Sequence, residues 1–305
     1  ELKYSWNKKH MISPEEIPRN VIRMSDDDVF YINNKHFIDG IDHSLAVEEL
    51  IYPLNTYDNI LFEEEEKKKN QHRFFFAFPF EEDYRGTQTD PTFYGTKMGL
   101  YKNEFKILDI PFEDGDVVLD LGSNVGAISV VMAKLYPKIN VYAFDANPTA
   151  YKIIKLNAKL NDTLNLKAFN LAVGLEELDN VDFYTSSNVD TCALVKRDHL
   201  DEEKKEKEHS NLVGSVPQVT LESLLDSKFL NISKVKYAKI DIEGAEIPLF
   251  EDIFETNADL LKRIEYLHIE VHSSEHYGEG YTERGDKLKE KLKDCFGDKL
   301  ILQSH

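Results

Sequence analysis

The sequence predicts an α/β fold: a mostly parallel sheet flanked by helices, preceded by an α+β extension over residues 1–95, with the main domain over residues 96–305. Three observations carry this. From about residue 96, short apolar runs alternate with helix-period segments. A glycine-bearing turn follows the first of those runs, and acidic residues stand at the ends of several others. Alternating β and α units build parallel sheets with helices on both faces. In such sheets ligands bind beyond the carboxyl ends of the strands, so those ends are where functional residues are sought.

In chain order, residues 29–32 and 35–38 around Asn33-Asn34 predict a β-hairpin. Residues 63–69 are a charge block expected to be solvated. Phe74-Phe75-Phe76-Ala77-Phe78 reads as a short buried strand. In the main domain, strands are expected at 116–121, 140–144, 166–173, 181–184, 191–195, 235–240, 264–271 and 299–302. Helices are expected at 127–135, 149–160, 221–225, 245–254 and 286–292. Residues 201–209 form a second charged insert.

With 305 residues and 41% hydrophobic content, the chain can bury a sizeable core. The formal net charge of −19 repels phosphate backbones, which argues against general nucleic-acid binding. Cys192 and Cys295 stand in no metal or redox spacing. The amino terminus lacks a signal-peptide layout. No apolar run reaches the roughly 18 residues that span a bilayer. The expectation is a soluble, cytoplasmic chain.

Val117-Val118-Leu119 is apolar and β-branched, as a central strand should be, and Gly122 and Gly126 frame the turn that follows. The spacing is G-x-x-x-G. A dinucleotide site would show G-x-G-x-x-G, whose second glycine makes room for a pyrophosphate. Asn124 takes that place, and no Walker lysine is present. The second strand ends on Asp145, 23 residues after Gly122, where an acid can accept both ribose hydroxyls of an adenosine. A ribose acid without a pyrophosphate loop points to S-adenosylmethionine.

Farther on, Lys239-Ile240 leads into Asp241-Ile242-Glu243-Gly244-Ala245-Glu246, and a later strand ends Glu270-Val271-His272. Residues two apart on a strand share a face, so Glu270 and His272 are expected to converge near Asp241. An imidazole there suits base catalysis on an alcohol. Asp241, Glu270 and His272 could instead hold a divalent metal. Glu246, in a first helical turn, has a simpler reading as a helix-dipole acid.

These segments occur in one order: 118–126, Ala143-Phe144-Asp145-Ala146-Asn147-Pro148, 239–246 and 270–272. Together they resemble the FkbM family of S-adenosylmethionine-dependent methyltransferases, over roughly residues 95–275. The resemblance implies the Rossmann-like class I methyltransferase fold with a seven-stranded sheet, and O-methylation of a sugar, glycan or natural-product hydroxyl. It implies that Asp120, Gly122, Ser123, Asn124, Gly126, Asp145 and Ala146 hold the cofactor, that Ala172 lies near the adenine, and that Asp241 faces the transfer site. His272 is the first choice for the base, with Asp241 and Glu270 as its electrostatic partners.

The sequence departs from the family in having Asp145 where glutamate is usual, and in lacking a glycine in the loop at 186–194. The chain stops soon after Leu302, so the last antiparallel strand is expected to be missing or supplied differently. The alternatives are an N-methyltransferase of RNA or protein, which would typically show an Asn/Asp-Pro-Pro-Tyr motif after the fourth strand, and a non-catalytic binding subunit that keeps the fold.

Overall fold

The computed structural model describes residues 45–52, 72–79, 81–82, 88–89, 91–185, 192–193, 211–226, 229–274 and 279–303. The expected hairpin at 29–38 and the charged segments at 63–69 and 201–209 lie outside these residues, as does most of the 186–194 loop.

The chain begins with an antiparallel pair, β1 (Leu45–Tyr52) and β2 (His72–Pro79). Two short strands, β3 (Glu81–Glu82) and β4 (Gln88–Thr89), pair next, and helix α1 (Pro91–Tyr101) follows. The alternating part then runs β5 (Val117–Leu121), α2 (Ala127–Leu135), β6 (Asn140–Asp145), α3 (Pro148–Leu160) and β7 (Leu166–Asn170). Strands β8 (Ala172–Val173), β9 (Leu178–Thr185), β10 (Cys192–Ala193) and β11 (Asn211–Val219) form a separate four-stranded sheet. The chain returns to the main sheet through α4 (Leu221–Leu225), β12 (Val235–Ile240), α5 (Glu246–Thr256), β13 (Ile264–Glu270), α6 (Tyr281–Phe296) and β14 (Leu300–Gln303).

The main sheet has the order β14-β13-β12-β5-β6-β7, and every pairing in it is parallel. Six strands are therefore described where the resemblance implies seven; the antiparallel seventh is not among the described residues. From β5 the chain builds outward one way through β6 and β7, then crosses back to place β12 on the other flank. The reversal puts the topological switch point between the carboxyl ends of β5 and β12, the usual ligand position in a doubly wound sheet.

The strands are buried on both faces, so their sequences are apolar runs rather than alternations. On one face, Val118, Val141 and Tyr237 pack with α2 and α3. On the other, Leu119, Phe144, Ile240 and Leu267 pack with α4, α5 and α6. Helix α2 is buried from Ala127 through Ala133, which explains why its sequence is apolar all round. Helix α3 starts where Asn147 accepts an N–H from Thr149 at 2.9 Å, with Pro148 as its first residue.

Two sequence expectations change. The run at 166–173 is two strands, because the chain leaves the main sheet at Leu171 and Ala172 pairs with Gln218 of β11. The segment preceding α4 is the nine-residue strand β11, hidden from a periodicity reading by Gly214 and Pro217. Pattern reading of residues 74–78 agrees with β2, where Phe74 and Phe76 are fully buried.

Strand β2 is clamped to α3 by two asparagines. Asn157 accepts the Ala77 N–H at 2.7 Å and donates to the Ala77 and Val125 carbonyls at 2.9 and 2.7 Å. One turn on, Asn161 accepts the Phe75 N–H at 2.9 Å and donates to its carbonyl at 2.7 Å. Asn157 is fully buried, so truncating it strands three backbone groups away from water. Asn157→Ala is expected to cost about 3 kcal/mol in urea unfolding; a loss under ~0.5 kcal/mol would show that the clamp contributes little.

Candidate functional site

The Gly122 backbone (φ +75°) lies against Asp241, so closely that a Cβ there would sit 1.7 Å from the Asp241 carbonyl oxygen. Only glycine fits, on grounds of both space and conformation. The turn is closed by its own strands. Gly122 and Ser123 both donate N–H groups to the Phe144 carbonyl at 3.0 Å, and the Ser123 hydroxyl donates to the Asp120 carbonyl at 2.6 Å. Asn124 takes positive φ (50°), a conformation its short polar side chain tolerates, and Gly126 starts α2 with φ 75°.

Asp145, at the end of β6, receives the Asn124 N–H at 2.7 Å and the Asn147 N–H at 2.8 Å, one on each oxygen. Each oxygen keeps a lone pair for another donor. Burial pushes this carboxyl up to about 7, against the pull of the two N–H donors. Asn170 donates to the carbonyls of both Asp145 and Ala146 at 2.9 Å and so fixes the turn that carries them. Ala172 is buried in β8, two residues after Asn170 in the chain.

Below the glycine turn lies a residue to which the sequence reading gave no role. Lys239, 7% exposed, donates to the Gly122 carbonyl and to Asp241, both at 3.1 Å, and lies 3.7 Å from Asp120. Asp120 is 1% exposed and also accepts the Ser129 hydroxyl at 2.5 Å. Burial works against the Lys239 charge, but the Asp241 and Asp120 carboxylates outweigh it and raise the ammonium above its usual range. Burial likewise opposes the Asp241 charge, and Lys239 with His272 overcomes it to hold that carboxyl low. The signal was present in the sequence: a lysine inside an apolar strand, two positions before an acid and so on its face.

The loop after β12 brings the other acids together. Glu246 is fully buried and accepts the N–H groups of Ile242 at 2.7 Å and Gly244 at 3.0 Å. It therefore shapes this loop, which exceeds the helix-dipole role its position suggested. His272 Nδ1 lies 3.0 Å from Glu246, and Nε2 lies 3.4 Å from Glu270 and 3.6 Å from Glu243. Burial alone would lower the imidazole, but Glu246, Glu243 and Asp241 raise it to about 10. Burial pushes Glu243 up to about 7. The expected convergence of Asp241, Glu270 and His272 is thus present in space, with Glu243 added to it. The set whose ligand atoms all lie within 4.8 Å of one another is Asp241, Glu243 and His272, with Glu243 in the place expected of Glu270.

A parallel sheet with a glycine turn at its switch point and an acid at the end of the next strand is the arrangement of a nucleotide-binding class of α/β protein. The comparisons narrow the class. Residues 120–295, more than half of the chain, match the methyltransferase FkbM domain. The chain belongs to this family of methyltransferases, an S-adenosylmethionine-dependent class. It is similar to Methyltransferase 1 of Beauveria bassiana (strain ARSEF 2860), with 23% identity over 50% of this chain and 65% of that protein. It is also similar to Methyltransferase sdnD of Sordaria araneosa, with 26% identity over 48% of this chain and 64% of that protein. The chain thus spans just under two thirds of these relatives' lengths. Among solved structures, the METTL16 methyltransferase domain aligns over 70% of this chain and 76% of its own, at 11% identity and a TM-score of 0.36. Coclaurine N-methyltransferase, bound to N-methylheliamine and SAH, aligns over 26% of this chain and 28% of its own, at 23% identity and a TM-score of 0.21. No described helix is long and apolar enough to cross a membrane.

Lys239→Met would leave the Asp120 and Asp241 carboxylates buried without their cation. The expected loss is about 3–5 kcal/mol of stability in denaturant unfolding. Gly122→Ala is expected to abolish cofactor binding in calorimetry, since the turn must move to admit a Cβ; retained affinity would show that the loop yields.

Proposed function

We propose that this chain transfers the methyl group of S-adenosylmethionine to a hydroxyl of a sugar, glycan or natural-product acceptor. The observation that carries the oxygen is the cluster of Asp241, Glu243, Glu270 and His272 beside the glycine turn. A hydroxyl is a poor nucleophile until its proton has somewhere to go. A neutral amine attacks without that help, so a proton-accepting cluster favours the alcohol.

In this reading Asp120, Gly122, Ser123, Asn124 and Gly126 shape the cofactor turn, Asp145 takes the ribose hydroxyls on its remaining lone pairs, and Ala146 and Ala172 border the adenine. The sulfonium carbon is attacked in line, and the protein's main work is to place the two groups. The carboxylates around Asp241 also favour the positive charge of the donor. His272, raised to about 10, carries its proton at neutral pH and serves the cluster as a cation. Glu243, pushed up to about 7 and a quarter exposed, has the affinity a base needs, so we assign it the substrate proton, with His272 orienting it.

With the His272 proton released, Asp241, Glu243 and His272 would form the donor set of a divalent cation, which would supply Lewis acidity to the hydroxyl. The imidazolium already neutralises part of this cluster, so turnover near neutral pH is expected to be unchanged by a chelator; a reversible loss would assign the cation role to a metal. Residues 1–95 are proposed to contribute a lid or a contact for substrate or a second copy.

Asp145→Ala is expected to weaken cofactor binding at least ~10-fold, the loss of two hydrogen bonds to a charged acceptor. In the wild type, cofactor affinity should fall as pH drops through about 7, because the ribose hydroxyls bind the ionised carboxylate. Asp145→Asn should lose that dependence. Unchanged affinity in the alanine variant would remove Asp145 from the site. Glu243→Gln and His272→Ala are both expected to spare cofactor affinity and to slow turnover roughly 10²–10⁴-fold; radiolabelled transfer to a panel of glycans and small alcohols measures it.

A further inference from the structure

The sheet face that carries Asp120 and Lys239 continues outward to β13 and β14. His268 stands opposite Lys239 in register, and Ile301 opposite His268. Between these edge strands and the segment that follows α1 lies a cavity of about 810 Å³. That is within the roughly 300–1,000 Å³ of small-molecule sites.

Two features show that this cavity is built to be filled. Among the described residues three buried side-chain atoms lack a hydrogen-bond partner. One is Asp120 Oδ1, which faces the Lys239 charge. The other two, Asn103 Oδ1 and His268 Nδ1, both belong to residues that line the cavity. His268 is 1% exposed, and the Phe105 ring, with its centroid 5.1 Å away, covers it. Burial pushes its imidazole down to about 3, so it presents a neutral ring. Buried polar atoms are nearly always satisfied, so an orphan pair on one cavity points to a partner beyond the described residues.

The lining restricts what that partner is. Lys102 pairs with Glu104 at 3.2 Å and Lys106 with Asp109 at 3.7 Å, which leaves Asp298 as the unmatched charge on the wall. Among the described lining residues no cation is left over, so an anionic ligand is disfavoured. Asn103 Oδ1 accepts only, while His268 Nδ1 accepts or donates with its tautomer. Hydroxyl groups satisfy both. Tyr266, Ile110 and Ile301 supply an apolar wall for the C–H face of a ring. At its upper end the cavity reaches Gln303, the register partner of Glu270, which in turn lies 3.4 Å from His272.

We infer that this cavity holds the body of the methyl acceptor, a neutral polyhydroxylated ring whose hydroxyls bond Asn103 and His268. The inference rests on the O-methyltransferase reading and adds to it the place and the charge of the acceptor.

The test is nitrogen NMR of the histidine side chains in the full chain saturated with S-adenosylhomocysteine. The probes are methyl α-glucopyranoside and myo-inositol, with glucose 6-phosphate as the anionic and glucosamine as the cationic comparison. The neutral probes are expected to shift the His268 ring signals and to bind at least ~10-fold more tightly than the phosphate, the worth of one unmatched polar contact. His268→Leu is expected to lose that binding while melting at the same or a higher temperature, because it removes an unsatisfied buried atom. Asn103→Gly, which keeps the positive φ of 53° accessible, should weaken binding about 10-fold. The inference is overturned if no neutral probe moves His268, if either charged probe binds more tightly, or if His268→Leu binds as the wild type does. The two readings separate cleanly. His268-dependent probe binding without transfer to any hydroxyl would sink the oxygen assignment and keep the cavity. Hydroxyl methylation by His268→Leu at wild-type KM would do the reverse.

Discussion

The Lys239 ammonium group lies between Asp120, Asp241 and the Gly122 carbonyl, with 8% of its side chain exposed. An isolated charge at such a depth would cost several kcal/mol, and it persists because its partners are already in place. Each partner belongs to a different part of the crevice. Asp120 lies near the end of β5 and also holds α2 through Ser129, Asp241 opens the loop after β12, and Gly122 is the glycine turn. The backbone ladder between β5 and β12 sets the spacing of the two strands at the switch point, and the ammonium group ties both to the turn above them. The closeness of Gly122 to the Asp241 carbonyl follows from that spacing, and so does the requirement for glycine.

Above this ion lies a second charged layer with a different balance. Glu246 ties down the Ile242 and Gly244 amides, and in doing so turns one oxygen toward His272. The imidazole is the one basic side chain among Glu246, Glu243 and Glu270 in the described site. The lower layer is buried and holds one ammonium group between two carboxylates; the upper one is more acidic and carries a carboxyl that titrates near neutrality. In the proposed reading, that division suits a cationic donor and a proton-bearing acceptor meeting at the carboxyl ends of β12 and β13.

The β1–β2 pair shows how the part before the repeating β and α units is joined to it. Asn157 and Asn161 present amides at helical spacing, and each satisfies both backbone groups of one β2 residue. Asn157 also holds the Val125 carbonyl, so the clamp reaches the glycine turn itself. Phe74 and Phe76 enter the same core as α2. The described part of the extension is continuous with the core of the main domain.

The sequence by itself determined the parallel sheet, its order of β and α units and the glycine turn, because each is written in local pattern: apolar runs, helix spacing, a G-x-x-x-G turn. It also placed Asp145, Asp241, Glu270 and His272 at strand ends, since register follows from counting along a strand. The tertiary structure alone decided what each of these groups meets. Lys239 became a buried ion because Asp120 comes from another strand, 119 positions away in the chain. His272 became a cation because Glu246, Glu243 and Asp241 surround it, and Glu243 became a group that titrates near neutrality because burial acts on it. The break at Leu171 and the strand β11 were invisible for the same reason: pairing partners are chosen across the fold, and a proton's affinity depends on neighbours that the linear order does not reveal.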